Sequence, residues 1–407
     1  MGPRTLPKRP AGMGKRLNKA ASLPITQQTD PYAGFDNGDD SDEEQKPSPI
    51  LYVRGKSPTN VEDVLKIQKC KRALSSAKLA FDKSELAGTV ASTFDANKYF
   101  HKLTTCSLGH TCLTAGEVPS TQTLLKENFD SVPVGTVMVA DVQDAGKGRG
   151  GNEWTSPRGC LMFSFTTQVA DGATLPFLQY VVALSIVQAI QQEAGVALSV
   201  PFTSSSMEDV VDVRIKWPND VYGPRAEKIG GVLCESGYDV EAKLFNVTVG
   251  CGVNVKNTKP TTCIQEIIKD READILKQAS TQRPAHMALA FPTRELVLGA
   301  IMNTLEANLR IFKENGFEAL KPEYLRHWLH SSQAVTLMEA GADGRKRMVP
   351  LVIRGLTPSG YLLATDKNGD KFELHPDGNS LDFFAGLVRR RMSGGGAPTM
   401  SRRASHT

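Results

Sequence analysis

Apolar residues along this chain of 407 residues fall into dense, regular blocks only from about residue 94 onward. Thr136–Val142 and Leu161–Phe165 are rich in β-branched, aromatic and aliphatic residues and read as strands. Val211, Val213 and Ile215 alternate with Asp212, Arg214 and Lys216, the two-residue period of a strand with one buried face. Ile229–Glu235 and Phe245–Val249 continue the sheet. Phe177–Ile190 is apolar on most sides, which predicts a buried helix. Residues 292–330 read as helical, ending near His330. Strands and helices mix without a strict βαβ rhythm, so the expected class is α+β with a mixed β-sheet. A second block starts near Ala334, with short strands at Val349–Ile353, Tyr361–Thr365 and Lys371–Leu374. Asn368-Gly369 between the last two is a two-residue hairpin signal. At about 55 residues this block is a small barrel or sandwich near the lower limit for independent folding, so it leans on the larger one.

The termini have another character. Residues 1–49 are polar and charge-blocked, the pattern of a disordered tail. Residues 1–29 carry six cations and no acid, and residues 30–45 carry seven acids and no base. An acid-free basic leader is an organelle transit peptide or a plain basic tail, so cytoplasm, plastid and mitochondrion all stay open. Met1-Gly2 resembles the start of a myristoylation signal, but Leu6 stands where that motif needs Ser or Thr. Residues 50–93 hold one helix around Val61–Leu74 or a small cap on the core. The expected division is a tail (1–49), an extension (50–93), a main domain (94–332), a small β-domain (333–390) and a basic tail (391–407).

Composition then narrows the function. Hydrophobic residues at 40% and charged residues at 23% are ordinary globular usage. The formal charge of +4 comes from the two basic ends and the acidic block, which leave residues 46–388 neutral. A folded body without global basic character argues against nucleic acid as a partner. No apolar run reaches the roughly 18 residues of a membrane span, which excludes a spanning protein. Seven cysteines without a CxxC make no disulfide framework. Cys106, His110 and Cys112 lie close in sequence but lack a fourth zinc ligand. His327 and His330 flank Trp328 at the spacing of one helix face, a packing pattern without a completing carboxylate.

The sharpest chemical feature is Gln143–Trp154, which holds Gly146, Lys147, Gly148, Arg149, Gly150 and Gly151. Gly146, Gly148 and Gly151 satisfy GxGxxG, but a strand follows where a dinucleotide fold needs a helix. No HRD or DFG tripeptide supports a kinase, and no GxxxxGK[ST] supports a Walker loop. What remains is a loop whose backbone amides can approach anionic oxygens while Lys147 and Arg149 neutralise them. Lys216-Trp217-Pro218-Asn219-Asp220 and Gly250-Cys251-Gly252-Val253-Asn254 also end strands, and Lys228 precedes Gly230-Gly231. Convergence of such strand ends at one edge of a sheet is the usual build of a ligand site.

Together these segments resemble the biotin–protein ligases, and most closely the holocarboxylase synthetases of plant and algal kind. The glycine–basic loop with its Trp, the KWPND box at Lys216–Asp220, Lys228–Leu233, the GxGxN at Gly250–Asn254 and the Ser120-Thr121-Gln122 turn occur in the family's order. Gly360–Leu363 and His375–Ser380 look like its small C-terminal β-domain. The likeness covers about residues 94–390. Lys147 stands where the family usually has Arg, and Gln122 where it often has Asn.

The resemblance implies a class II synthetase-like biotin ligase core with a small SH3-like β-barrel. It also implies two half-reactions. Biotin and ATP give biotinyl-5'-AMP and pyrophosphate, and the acceptor lysine of an apo biotin-carrier domain then displaces AMP. By the same carry-over Ser120, Thr121, Gln143, Gly146, Arg149, Lys228, Gly230 and Gly231 contact biotin. Lys147, Gly148, Arg149, Trp154, Lys216, Asn219, Asp220 and Asn254 contact ATP or the adenylate. Arg149 and Lys228, assisted by Lys147, stabilise the reacting phosphate, and Asp220 is the one metal candidate, for Mg2+. Two alternatives stand beside this: a lipoate or octanoate ligase of the same fold, whose RRxxGGG loop is absent, and a non-catalytic biotin- or nucleotide-binding regulator.

Overall fold

In the computed structural model two sheets and seven helices are built from the described residues: 49–70, 74, 76–80, 90–200, 209–257, 259, 261–278, 289–340, 346–375, 379–382 and 387–390. The charge-blocked leader, the basic C-terminal tail and residues 376–378 lie outside that set. The chain runs β1 (Ile50–Gly55), α1 (Pro58–Cys70), β2 (Lys78–Ala80), α2 (Ala96–Lys102), β3 (Thr111–Val118), α3 (Thr121–Glu127), β4 (Val137–Gln143) and β5 (Cys160–Val169). It continues through α4 (Leu175–Leu198), β6 (Arg214–Lys216), β7 (Asp220–Tyr222), β8 (Lys228–Asp239), β9 (Leu244–Asn254), α5 (Ile264–Gln278), α6 (Arg294–Asn315) and α7 (Lys321–His327). Then come β10 (Ala334–Ala340), β11 (Lys346–Leu356), β12 (Leu362–Thr365), β13 (Lys371–Leu374), β14 (Asn379–Asp382) and β15 (Leu387–Arg390).

The first sheet has nine strands in the order β2-β1-β3-β4-β5-β9-β8-β7-β6. Parallel pairs (β1 with β2, β3 with β4) and antiparallel pairs coexist, so the class is α+β with a mixed sheet. β5 and β9 form its centre, paired over ten residues from Cys160↔Asn254 to Val169↔Phe245. Leu161, Phe163 and Phe165 on β5 are fully buried, as are Val247, Val249 and Val253 on β9. That burial is why these segments carry so little polarity.

One face of the sheet is covered by α4, which packs against α6 and lies over β8. α4 is 24 residues long and buried on nearly all sides, ten residues longer than the apolar stretch that announces it. By length and composition alone it could cross a membrane. Here it is the core helix of a folded domain, so the expectation that no segment reaches spanning length needs correcting.

Other expectations shift for local reasons. Val211 and Val213 are buried, but the strand is only Arg214–Lys216. The Gln191 carboxamide takes both the N–H and the carbonyl of Val211, at 3.0 and 2.7 Å, which removes that residue from the ladder. Residues 292–330 are two helices, because α6 stops at Gly316, whose φ of 71° ends it. Trp328 is already extended at ψ 161°. His330 therefore lies beyond the helix, not on a shared face with His327. The Asn368-Gly369 hairpin exists, but Thr365 pairs with Lys371, so its loop is longer than two residues. Asp366 organises that loop by accepting from the N–H groups of Asn368 and Asp370. The extension 50–93 supplies α1 where a helix was expected, together with β1, which joins the main sheet beside β3.

The second sheet has six strands in the order β13-β12-β11-β10-β15-β14. All described residues belong to one compact unit, and the β11–β12 turn seats the second sheet on α4. Tyr180 of α4 donates its hydroxyl to the Gly360 carbonyl at 2.8 Å.

Candidate active site

A cavity of about 370 Å³ opens where the C-terminal ends of β4 and β9 meet the start of β8 and the β6–β7 hairpin. Five segments identified in the sequence meet there, and the second sheet contributes Leu362, Leu374 and His375 to the lining.

One end of the cavity is polar. Ser120 caps α3, and its hydroxyl accepts from the Thr123 N–H at 3.4 Å. The Gln143 carbonyl oxygen accepts from the Thr121 backbone N–H at 2.8 Å and from its hydroxyl at 3.1 Å. The Gln143 amide donates to Ser156 at 3.2 Å, and the Thr121 hydroxyl also pairs with Ser164 at 2.8 Å. A buried network with its members this fully engaged holds the α3 turn in a single arrangement.

The other end is cationic. Lys228 Nζ lies 2.7 Å from Asp220 Oδ1 and 5.4 Å from the Trp154 ring centre. Lys216 Nζ sits 5.3 Å from the Tyr222 ring centre. Tyr222 is raised above the usual phenol range by burial, then by the Asp220 charge, with Lys228 opposing. Arg149 donates to Asn219 Oδ1 at 3.3 Å, while Asn219 donates to the Val232 carbonyl. Lys147, Arg149, Lys216 and Lys228 thus line one space with Asp220 and Glu153, a charge set suited to an oligophosphate.

The glycine loop is a small hairpin across the mouth. The backbones of Lys147 and Glu153 face each other in an antiparallel bridge, in which Gly148 N–H donates to the Asn152 carbonyl at 2.7 Å and Trp154 N–H donates to the Gly146 carbonyl at 2.9 Å. Gly150 (φ 65°) and Gly151 (φ 82°) turn the tip through left-handed backbone that only glycine adopts without strain. At the loop's base the Trp154 indole packs on Gly252, where any side chain would fall on the ring.

The 217–220 turn is held from behind. Trp217 backbone N–H donates to His330 Nε2 at 3.0 Å. Its indole N–H is shared between the Tyr180 hydroxyl at 3.0 Å and the Gly360 carbonyl at 3.2 Å. Burial pushes His330 down to about 4, so near neutral pH it is the uncharged acceptor that the Trp217 N–H requires. Burial pushes Tyr180 up to about 12, against the Trp217 hydrogen bond. Burial likewise pushes the Cys234 thiol up to about 12 and raises Cys251, which lines the cavity. Neither is a thiolate nucleophile.

Most expected site residues converge. Ser120, Thr121, Gln143, Lys147, Gly148 and Arg149 line the cavity, as do Trp154, Lys216, Asn219, Asp220, Lys228 and Gly231. Three do not line it. Gly146 lies under the loop, where a side chain would meet the Trp154 carbonyl. Gly230 lies inside the sheet, against the Gly252 carbonyl. Asn254 spends its carboxamide on Thr261, Thr262 and Asn257, bracing the loop after β9. In this structure these three pack behind the residues that line the cavity. Among the described residues no group of three His, Cys, Asp or Glu side chains could hold a metal, Cys106, His110 and Cys112 included. Sequence reading missed Ser164, and it missed Leu362, Leu374 and His375, whose approach depends on how the two sheets seat. It also missed Trp217 as an anchor, although the residue stands inside a recognised box.

A family model, the Biotin/lipoate A/B protein ligase family, matches residues 115–254. The chain is 39% identical over 302 residues to biotin–protein ligase 1, chloroplastic, of Arabidopsis thaliana, covering 74% of each chain. It is 37% identical over 352 residues to biotin–protein ligase 2 of Arabidopsis thaliana, covering 84% of this chain and 97% of that one. Among solved structures it is similar to a biotin protein ligase from Aquifex aeolicus in complex with biotin and ATP. That match has 28% identity, covers 65% of this chain and 94% of that chain, and has a TM-score of 0.43.

Proposed function

The chain belongs to the biotin–protein ligase family, and from that premise we propose how its cavity performs ATP-dependent biotinylation of acceptor proteins. The observation that carries the reading is the joining, in one cavity, of a polar network at the α3 turn with four cations at the sheet end. A neutral polar ring fits the first, a triphosphate the second, and the two meet where a carboxylate would face an α-phosphorus.

In the first step the biotin carboxylate attacks the α-phosphorus of ATP and pyrophosphate leaves. Two anions must approach, and charge grows on the phosphoryl oxygens. Lys228, on the first residue of β8, and Arg149, on the loop, supply fixed positive charge there. Lys147 and Lys216 offset the charge of the leaving pyrophosphate. The mixed anhydride then has to be kept from water. The glycine hairpin, with Trp154 seated on Gly252, is the cover. In the second step the acceptor's uncharged ε-amine attacks the biotinyl carbonyl carbon, the bond to the phosphate oxygen breaks, and AMP leaves. Binding and positioning suffice for both steps, consistent with buried thiols that play no nucleophilic part.

Mg2+ fits this donor set in one way. Asp220 is already paired with Lys228 and Glu153 is the other carboxylate lining the cavity, so the ion would be carried chiefly by the phosphates, as Mg2+ commonly is. It would supply charge neutralisation. The acceptors are apo biotin-carrier domains of carboxylases, met at the cavity mouth. Incubation with ATP, Mg2+, biotin and an apo-carrier domain tests the reading. Expected are biotin-dependent pyrophosphate release and an acceptor mass gain of one biotinyl group. Absence of both overturns it, and activity with octanoate or lipoate in place of biotin selects the sister specificity.

A further inference from the structure

Gln122 stands in the α3 turn beside Thr121, lines the cavity and is only 4% exposed. Its amide nitrogen donates to Glu235 Oε2 at 3.0 Å, and Glu235 Oε1 lies 3.0 Å from Lys126 Nζ. A carboxylate only accepts, so the NH2 group of Gln122 must face Glu235 and its carbonyl oxygen must face the other way. That oxygen lies over Gly250, where any side chain would strike it. It has no protein partner among the described residues, and it is not sealed from the cavity. An unspent acceptor in a tight polar pocket selects a ligand that brings a donor, because a ligand without one leaves the oxygen unpaired.

We propose that Glu235 is a positioning residue that fixes the orientation of the Gln122 amide, so that Gln122 accepts a ring N–H of the bound acid. The proposal rests on the biotin-ligase reading. It identifies a feature by which a cyclic urea is preferred over an acyl acid without N–H donors. Glu235 itself stays outside the cavity, one-third exposed on β8, with Lys126 as its counter-ion. Its influence reaches the ligand only through Gln122.

The test compares biotin with its two ureido N-methyl derivatives, each lacking one N–H donor, as substrates for pyrophosphate release by the full chain. The wild-type protein is expected to favour biotin over one of the two by about 100-fold. Glu235→Ala is expected to raise KM for biotin about tenfold, with kcat within about threefold, and to shrink that preference below about tenfold. Lys126→Ala, which removes only the exposed ion pair, is expected to leave KM and preference unchanged. The decisive variant exchanges the charges, Glu235→Lys with Lys126→Glu. The ion pair survives, but an ammonium now faces Gln122 and turns its amide over. The preference should vanish while the unfolding midpoint stays at the wild-type value. A charge-exchanged protein with wild-type preference overturns the proposal, as does a Glu235→Ala protein whose KM rises equally for all three acids. Failure of the ligase reading looks different: the wild type releases no biotin-dependent pyrophosphate. Calorimetric binding of the same three acids without ATP then decides the role of Glu235 by the same ratios.

Discussion

The two sides of the cavity are built in opposite ways. The 217–220 turn is anchored on every side: Trp217 to His330, Tyr180 and Gly360, Asn219 to Val232, Asp220 to Lys228. Trp217, Tyr180 and His330 are all buried. The glycine hairpin is held by its own backbone cross-bonds, by a hydrogen bond from Arg149 to Asn219 and by the Trp154 indole seated on Gly252. At its tip a side chain on Gly150 or Gly151 would meet nothing within 4 Å. The first side presents a fixed geometry to the reacting phosphate, with its orientation settled by folding. The second, with open space around its tip, is the side expected to move. A ligase that must admit two substrates, retain an unstable anhydride and then admit a protein needs both behaviours in one site.

The largest test of this division falls where the two sides meet. Gly252 belongs to β9 and the Trp154 indole to the base of the loop, in direct contact. Gly252→Val forces the indole away, and the aromatic face beside Lys228 goes with it. Expected is a fall of about 1,000-fold in biotin-dependent pyrophosphate release, about 4 kcal/mol in the barrier. Urea unfolding should show a folded protein, because the displaced group sits on the movable side. A rate within tenfold of wild type would mean that the loop closes without Trp154 in this seat.

A second test addresses the anchored side alone. His330 is fully buried, and burial lowers it from 6.5 to about 4. The unfolded chain therefore binds a proton below pH 6.5 that the folded chain refuses until about pH 4. Stability is complete above 6.5 and falls as pH drops through that window, by about 3 kcal/mol at pH 4. His327, also lowered by burial, acts with the same sign. Unfolding free energies measured at pH 7 and pH 4 should differ by at least this amount in the wild type. In His330→Gln the difference should be about 3 kcal/mol smaller. An equal pH dependence in both proteins would show that His330 is not the neutral acceptor holding the turn.

The contrast between the two sides also explains what was legible in the sequence. Chemical groups were legible because chemistry restricts residue type: glycine at a left-handed tip, cations for phosphate, Asn and Asp on a turn. The central strands were legible because burial on both faces leaves few polar positions, as in Leu161–Phe165. Support was not legible. Asn254 and Gly230 carry the same letters whether they touch a ligand or brace a loop, and only their partners in space distinguish the two. The length of the 211–216 strand was misread because a side chain, Gln191, competes for the backbone, and no periodicity records that competition. Trp217 and His330 are 113 residues apart, so their bond could not be inferred from either neighbourhood. The seating of the second sheet, which brings Leu362 and Leu374 to the cavity, is a tertiary fact with no local signal.

The smallest test asks where strain goes on the movable side. Gly150 sits at φ 65° with open space around its Cα. Alanine fits sterically but costs about 1 kcal/mol in left-handed backbone. Two outcomes separate two pictures of the loop. If the hairpin unfolds together with the core, the whole cost appears in the global unfolding free energy. If the hairpin opens on its own, the chain relieves the strain by opening, the core is untouched, and the penalty appears in the closed fraction of the loop. The open space around Gly150 and Gly151 favours the second picture. Gly150→Ala should therefore leave the urea midpoint unchanged while biotinyl-adenylate escapes up to about fivefold faster, the rate equivalent of 1 kcal/mol. A drop in global stability by the full amount, with unchanged escape, would place the loop inside the cooperative core and remove the distinction between the two sides.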